Sequence, residues 1–579
     1  MRIRKLLQEN KQLWIWGAIL ILSLVSIYLT KRFTFICDDY EILMSSQIHP
    51  FPFFSDWIPA NIIKLSAISN LGMYRPLIVL SFYANNLISK NDPFAFYIFN
   101  ILLHLGNTIL LYKILLLVLK LFEFYSEKVK YYIIAGTALF FILPQNLMDV
   151  FWISGRTDII CEFFILSSSL FLISYFNNKN KKSYLILSIT LAVLSYMSKE
   201  TALLINLYVL IIILIYKHTK GENNLRILYL HFILSGLYLL YRFIIFHGSL
   251  LGDSKIPNLN FYEAFKFIIY GGWSLLIPFD ILDYLYMLNN QQYLSALLLT
   301  IAVSTIIVIL FYYLSKVLKY HEGKFVLLLF AVSFLSLLIY SGNFPSMRLM
   351  YVHIPLLLFA CIILFYKVQG HSHTKIIFIT LYSAIILFGI SSFFYRTVKI
   401  NDYYKKLWNI LPYSKEISSS GTYIFPCLLN RVGQNCVAPP LKLMSNMKAF
   451  NNSNSDNRIN FFQCARYETS SFSEVMPKFF FKTTSDSSFT ISTNSSEYVF
   501  IPSNYKKFDK AHLTTELYDS SISIKPLNFI NLLDRKSTKV MVYYNLKKDW
   551  DNVKFIYWVS GNFKIISFNK FMEELKHNN

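Results

Sequence analysis

Apolar residues recur along this chain in runs of about 15 to 25, the length of helix needed to cross a hydrocarbon core of about 30 Å, and short basic links separate the runs. A soluble core cannot absorb so many long apolar segments. Only 15% of the residues are charged while 55% are hydrophobic, so there is too little polar surface to cover an ordinary soluble fold. The pattern predicts a polytopic α-helical membrane protein. The first run, Leu13 to Thr30, is followed by Lys31-Arg32 rather than by small residues, and is expected to stay as the first membrane helix.

Eleven spans fit the pattern, near 12–30, 96–121, 131–144, 158–175, 183–198, 201–216, 227–246, 293–314, 325–341, 350–366 and 375–394. With a cytoplasmic N-terminus, the internal links then carry Lys128 and Lys130; Lys179, Lys181 and Lys182; Lys217, Lys220 and Arg226; Lys316, Lys319 and Lys324; and Lys367 and Lys375. Each obeys the positive-inside rule. Apolar stretches at 50–90 and 263–290 must then lie at the outer interface or enter only partway. The net charge of +22 is thereby explained by orientation: residues 1–400 contribute +14 and residues 401–579 contribute +8. No basic stripe interleaved with aromatics points to nucleic acid.

Hydropathy falls after Phe394, which divides the chain into a membrane domain, 1–399, and a second domain, 400–579. Strand-like stretches at Tyr498–Pro502, Val540–Leu546, Val553–Val559 and Phe563–Phe568 predict a mixed domain weighted to β. After eleven spans it is extracytoplasmic, where a Cys427–Cys436 disulfide is open to formation. Metal-ligand pairs, glycine-rich phosphate loops and internal repeats are lacking in the sequence.

Charged groups at membrane depth or at its rim are costly, and here they gather on the outer side. The first outer loop holds Asp38 and Asp39. The second runs from Pro144 to Asp158 with Asp149, Arg156 and Asp158. The third is Ser198-Lys199-Glu200-Thr201, and the fifth contains Asn343, Arg348 and Tyr351. Carboxylates that can take a proton and cations that can hold a phosphate suit group transfer from a phosphate-linked lipid. The plainer reading pairs Arg156 and Arg348 with nearby acids, and Lys199 with Glu200. Asn100, His104 and Asn107 share one helical stripe, where helix-packing hydrogen bonds are the first explanation. Arg75 can meet a lipid phosphate or simply snorkel to headgroups.

In chain order, Cys37-Asp38-Asp39-Tyr40, Tyr74-Arg75-Pro76-Leu77, Asp92-Pro93-Phe94 with Asn100, His104 and Asn107, Trp152 to Asp158, Ser198-Lys199-Glu200, Tyr241-Arg242-Phe243 and Arg348 with Tyr351 and Pro355 cover roughly residues 30–360. In these the chain resembles the GT-C superfamily of integral-membrane glycosyltransferases, and within it the protein O-mannosyltransferase-like branch that includes the membrane half of the TPR-containing O-mannosyltransferases. The resemblance implies a polyprenyl- or dolichyl-phosphate sugar donor, an acceptor hydroxyl on protein or glycan, and inverting transfer on the extracytoplasmic face of a bacterial inner membrane. It places a catalytic base at Asp38, with Asp39 the close alternative and Asp149 a further acid. Arg75, His104, Arg156, Asp158, Lys199, Glu200, Arg348 and Tyr351 become the substrate-binding set. The chain departs from the family pattern at Leu143-Pro144 and Met148, where a His-Pro stretch and an acid are usual, and at Met347, where Glu is common. The acid ligand set is therefore open, and no cofactor is assigned beyond a candidate divalent cation. Tetratricopeptide helices are lacking after residue 400, so acceptor identity does not carry over. A lipid or glycan transporter, a polysaccharide polymerase and a non-catalytic scaffold are the rival readings.

Overall fold

A computed structural model describes residues 2–48, 75–121, 126–178, 181–221, 224–245, 261–279, 292–340, 347–368 and 372–410, positions 284, 287 and 288, and, beyond residue 421, strand segments with residues 570 and 573. Tyr74, Asn343, Lys179 and most of the 50–90 stretch lie outside the described residues, as do the side chains of Cys427, Cys436 and Cys464. The helices are α1 (Arg2–Thr30), α2 (Asp39–Ile48), α3 (Pro76–Ser89), α4 (Pro93–Leu121), α5 (Glu127–Ile142), α6 (Pro144–Val150), α7 (Arg156–Asn177), α8 (Lys182–Tyr196), α9 (Ile205–Lys220), α10 (Leu225–Ile245), α11 (Phe261–Leu276), α12 (Tyr293–Val317), α13 (His321–Leu335), α14 (Ile354–Lys367) and α15 (Ser372–Ile410).

The chain divides into two compact units, Met1–Phe33 with Ile42–Thr397, and Thr34–Glu41 with Val398–Asn579. In the second unit, strands Thr422–Val432 and Asn460–Glu468 pair in parallel, and Val553–Val559 pairs with Asn562–Ser567 in antiparallel.

Among the described residues, seven helical segments of the chain are long and apolar enough to cross a membrane, and α5 with α6 would make an eighth as one bent span. These match eight of the eleven expected. The remaining three expected spans are α8, α13 and α14, of 15, 15 and 14 residues. At about 1.5 Å per residue they reach little more than about 20 Å, short of the hydrocarbon core. Each stops where the backbone tightens: α8 before the 3₁₀ turn Glu200–Leu204, α13 at Ser336–Tyr340, and α14 after Met347–Met350. These turns carry polar and charged residues that a straight apolar helix would not hold in place.

Local sequence sets the helix ends. Ser126 caps α5 by accepting the Val129 N–H at 3.3 Å. Prolines open α3 and α6, where a missing N–H is harmless. Gly221 closes α9 in the left-handed region, φ 71°, behind Lys217, His218 and Lys220, whose charges suit the helix C-terminus.

Pro144 decides the sharpest break. Without an N–H it cannot donate to Phe140 O four residues back, and α5 and α6 meet at 50°. The abandoned carbonyl of Phe140 accepts the Asn146 side-chain amide at 2.6 Å, and that of Phe141 accepts His104 Nε2 at 3.1 Å. Both repairs are buried, where no water can make them.

Asn146→Ala should therefore lower the thermal midpoint of the purified protein, by about 1–3 kcal/mol of stability. Because alanine in place of Pro144 could supply the missing N–H, Pro144→Ala combined with Asn146→Ala should lose less than the sum of the single changes. Strict additivity in this double-mutant cycle would refute the repair.

Candidate functional site

The polar stripe expected on α4 is fully buried, and its members reach different points between the end of α5 and the start of α7. Asn100 donates its amide to the carbonyls of Trp152 at 3.1 Å and Ile153 at 3.3 Å. Asn107 donates to Ile159 O at 2.9 Å and to Tyr351 Oη at 3.1 Å. Since Phe141 O can only accept, His104 carries its proton on Nε2, and Nδ1 accepts the Tyr351 hydroxyl at 2.7 Å. His104 and Tyr351, both expected to bind substrate, are thus engaged with one another and with the bundle.

Arg156 is fully buried and donates to Asn100 Oδ1 at 2.9 Å, Asn85 Oδ1 at 2.9 Å, Phe96 O at 3.0 Å and Ser81 O at 3.2 Å. Phe82, Phe96 and Phe99 surround its guanidinium at 4.4–5.2 Å. This arginine ties α3, α4 and α7 together. One residue earlier, a Cβ on Gly155 would sit 2.4 Å from the backbone oxygen of Asp149 and 2.6 Å from its Cα, so only glycine allows the turn to press on Asp149.

Lys199 donates to both carboxylate oxygens of Asp158, to Oδ1 at 2.6 Å, and both side chains are buried. The alternative pairing of Lys199 with Glu200 is not the one formed. Glu200 instead bridges Arg75 at 2.9 Å and Arg242 at 3.2 Å, tying the start of α3 to α10. The backbone adds a further link, from Leu77 N–H to Met197 O at 3.3 Å. Arg348 is half-buried and lies over the Trp152 ring at 4.4 Å.

Asp149 differs from all of these. Its side chain is fully buried, and neither carboxylate oxygen has a hydrogen-bond partner among the described residues. Asp158, Lys199 and Arg348 act on it electrostatically. An acid at such a position is expensive unless something completes it. No three His, Cys, Asp or Glu side chains among the described residues are placed to hold a metal ion, and Asp158 is already taken by Lys199. These residues do not by themselves make a divalent-cation site.

Over 149 residues the chain is 28% identical to protein O-mannosyl-transferase TMTC4 of Homo sapiens, a match covering 24% of this chain and 20% of that protein. The chain thus matches about a fifth of that relative's length. No family model and no solved structure matches.

In the second unit, the two acids of the loop before α2 have different surroundings. Asp39 is fully buried, and its Oδ2 accepts the Ile36 N–H at 2.9 Å, closing the turn that starts α2. Asp38 is half-buried, and its Oδ1 accepts the Cys37 thiol at 3.1 Å. The end of α15 grips this loop: Thr34 N–H donates to Asn401 Oδ1 at 2.8 Å and Cys37 N–H to Tyr404 Oη at 2.9 Å, while Tyr40 stacks with Tyr404 and Trp408. Burial first, then the neighbouring Asp39 carboxylate, push the Tyr40 phenol well above its ordinary range, so it stays a hydroxyl.

Sequence reasoning missed Glu162, a fully buried acid one turn beyond Asp158 on α7 whose Oε1 accepts the Tyr208 hydroxyl at 3.3 Å. The spacing of four from Asp158 was the available signal. The role of Arg242, and the hold of Asn401 and Tyr404 on the first loop, depend on separations of 42 and 367 residues, which no local pattern reveals.

Lys199→Met should strip Asp158 of its counter-charge and destabilise the protein by about 3–5 kcal/mol. Adding Asp158→Asn should restore part of the loss, read as a higher melting midpoint for the double variant than for Lys199→Met. A double variant no more stable than the single one would deny the pair its structural weight.

Proposed function

We propose that this protein is a membrane glycosyltransferase that moves a monosaccharide from a polyprenyl-phosphate carrier to an acceptor hydroxyl on protein or glycan, outside the cytoplasm. The observation that carries the reading is Asp149. A buried carboxylate without a protein hydrogen-bond partner among the described residues, acted on by Lys199 and Arg348, suits a hydroxyl-rich ligand that would donate to it. The similarity to a protein O-mannosyl-transferase supports the same class of chemistry.

In this reading the acceptor oxygen attacks the anomeric carbon and the bond from that carbon to the phosphate oxygen breaks. The polyprenyl phosphate departs and the configuration inverts. Asp38 takes the acceptor proton, because Asp39 is committed to the backbone of its own turn. Arg348, half-buried, serves the carrier phosphate, and Arg75, drawn toward Glu200, is the second contact. Arg156, His104, Tyr351, Asp158, Lys199 and Glu200 hold the frame. All eleven expected spans cross or enter the membrane, the shorter ones ending at the rim, and residues 400–579 form an extracytoplasmic domain weighted to β, in a bacterial inner membrane. A transporter would be expected to spread its polar groups through both halves of the membrane, whereas Arg75, Asp149, Asp158, Lys199, Glu200 and Arg348 sit at helix ends or breaks.

Full-length protein in lipid nanodiscs, given radiolabelled polyprenyl-phosphate sugars and an extract of a deletion strain, should transfer label with inversion. Asp38→Asn should lower turnover by about 10² to 10⁴ while donor binding persists. Arg348→Ala should weaken donor binding by about 1.5–3 kcal/mol. Retained configuration, or an Asp38→Asn protein with wild-type turnover, would remove Asp38 from the role.

A periplasm-dependent reporter joined after Asn579 should be active. Activity of a cytoplasm-only reporter at that position would overturn the orientation.

A further inference from the structure

Cys37 has an unusual backbone for its residue type. Its φ is 45°, in the left-handed region that favours glycine, and two contacts accompany this conformation. The N–H donates to Tyr404 Oη at 2.9 Å, and the thiol Sγ lies 3.1 Å from Asp38 Oδ1. Cys37 and Tyr404 are buried, while Asp38 is half-buried. A carboxylate only accepts, so the thiol proton points at Asp38.

From this geometry we propose that Cys37 is a positioning residue for Asp38: its left-handed backbone, anchored on Tyr404, aims the thiol so that one carboxylate oxygen is fixed and the other is left to meet an acceptor hydroxyl. A glycine would adopt this backbone at lower cost but would bring no donor. A side chain with a donor on its γ atom is what the arrangement uses. Tyr404 provides the anchor from 367 residues away, and its ring stacks with Tyr40 at 6.3 Å, so the grip on the loop combines a hydrogen bond with an aromatic contact. The inference rests on the reading of Asp38 as the base.

Cys37→Ala and Cys37→Ser share the same backbone demand and differ in the donor, which separates positioning from folding. With the radiolabelled polyprenyl-phosphate sugar that wild-type protein turns over, Cys37→Ala should lower kcat about tenfold and leave the donor KM within about twofold. Cys37→Ser should recover most of the rate, and Tyr404→Phe should lower kcat in the same direction as Cys37→Ala. Wild-type kcat in Cys37→Ala, or equal damage in Ala and Ser variants, overturns the proposal. If Asp38→Asn is inactive and Cys37→Ala is normal, this inference fails alone. If Asp38→Asn is active, the reading of Asp38 as base fails.

A second measurement needs no turnover. In the infrared difference spectrum between wild type and Cys37→Ser, the S–H stretching band should lie low, as for a bonded thiol, and should rise in Asp38→Ala. A band unmoved by Asp38→Ala overturns the contact whatever the activity.

Discussion

Helices that break inside a membrane release carbonyls that no water can satisfy, and in this protein Asn146 takes up that of Phe140 and His104 of α4 that of Phe141. Asn100 adds a side-chain donor to the carbonyls of Trp152 and Ile153, which also accept the N–H groups of Gly155 and Arg156, and Asn107 adds one to Ile159 near the start of α7. The connection from α5 to α7 leaves helical geometry twice within a few residues, at Pro144 and around Trp152. Arg156 closes the arrangement from behind by donating to Asn100 Oδ1, which fixes the amide orientation that faces the carbonyls.

The buried ions follow a division of labour. Asp158 with Lys199, and Glu200 with Arg75 and Arg242, are ion pairs between elements remote in sequence, joining α7, the α8–α9 connection, α3 and α10. Buried pairs of this kind lose much of their Coulombic gain to desolvation and are best understood as setting which elements meet. Asp149 joins no such pair. Among the described residues it is the acid whose environment leaves both oxygens without a hydrogen bond while cations stand nearby, a state suited to recognition rather than to structure.

Apolar run lengths and the basic links between them were enough to establish a multi-pass helical membrane protein, because the hydrocarbon core imposes its thickness on any chain that crosses it. The same patterning marked which connections carry charge, and the spacing of Asn100, His104 and Asn107 already put them on one face. Tertiary structure decided what those groups do. Three expected spans proved shorter than a membrane crossing because hydropathy does not register where a helix tightens into a 3₁₀ turn. Lys199 chose Asp158 over its neighbour Glu200, and Arg156 turned inward to carbonyls and amides, since partner choice among buried charges depends on which helices pack together. Asp38 and Asp39 are chemically identical in the sequence. Only the turn that spends Asp39 on the Ile36 amide, and the α15 residues that hold Cys37 against Asp38, make them different.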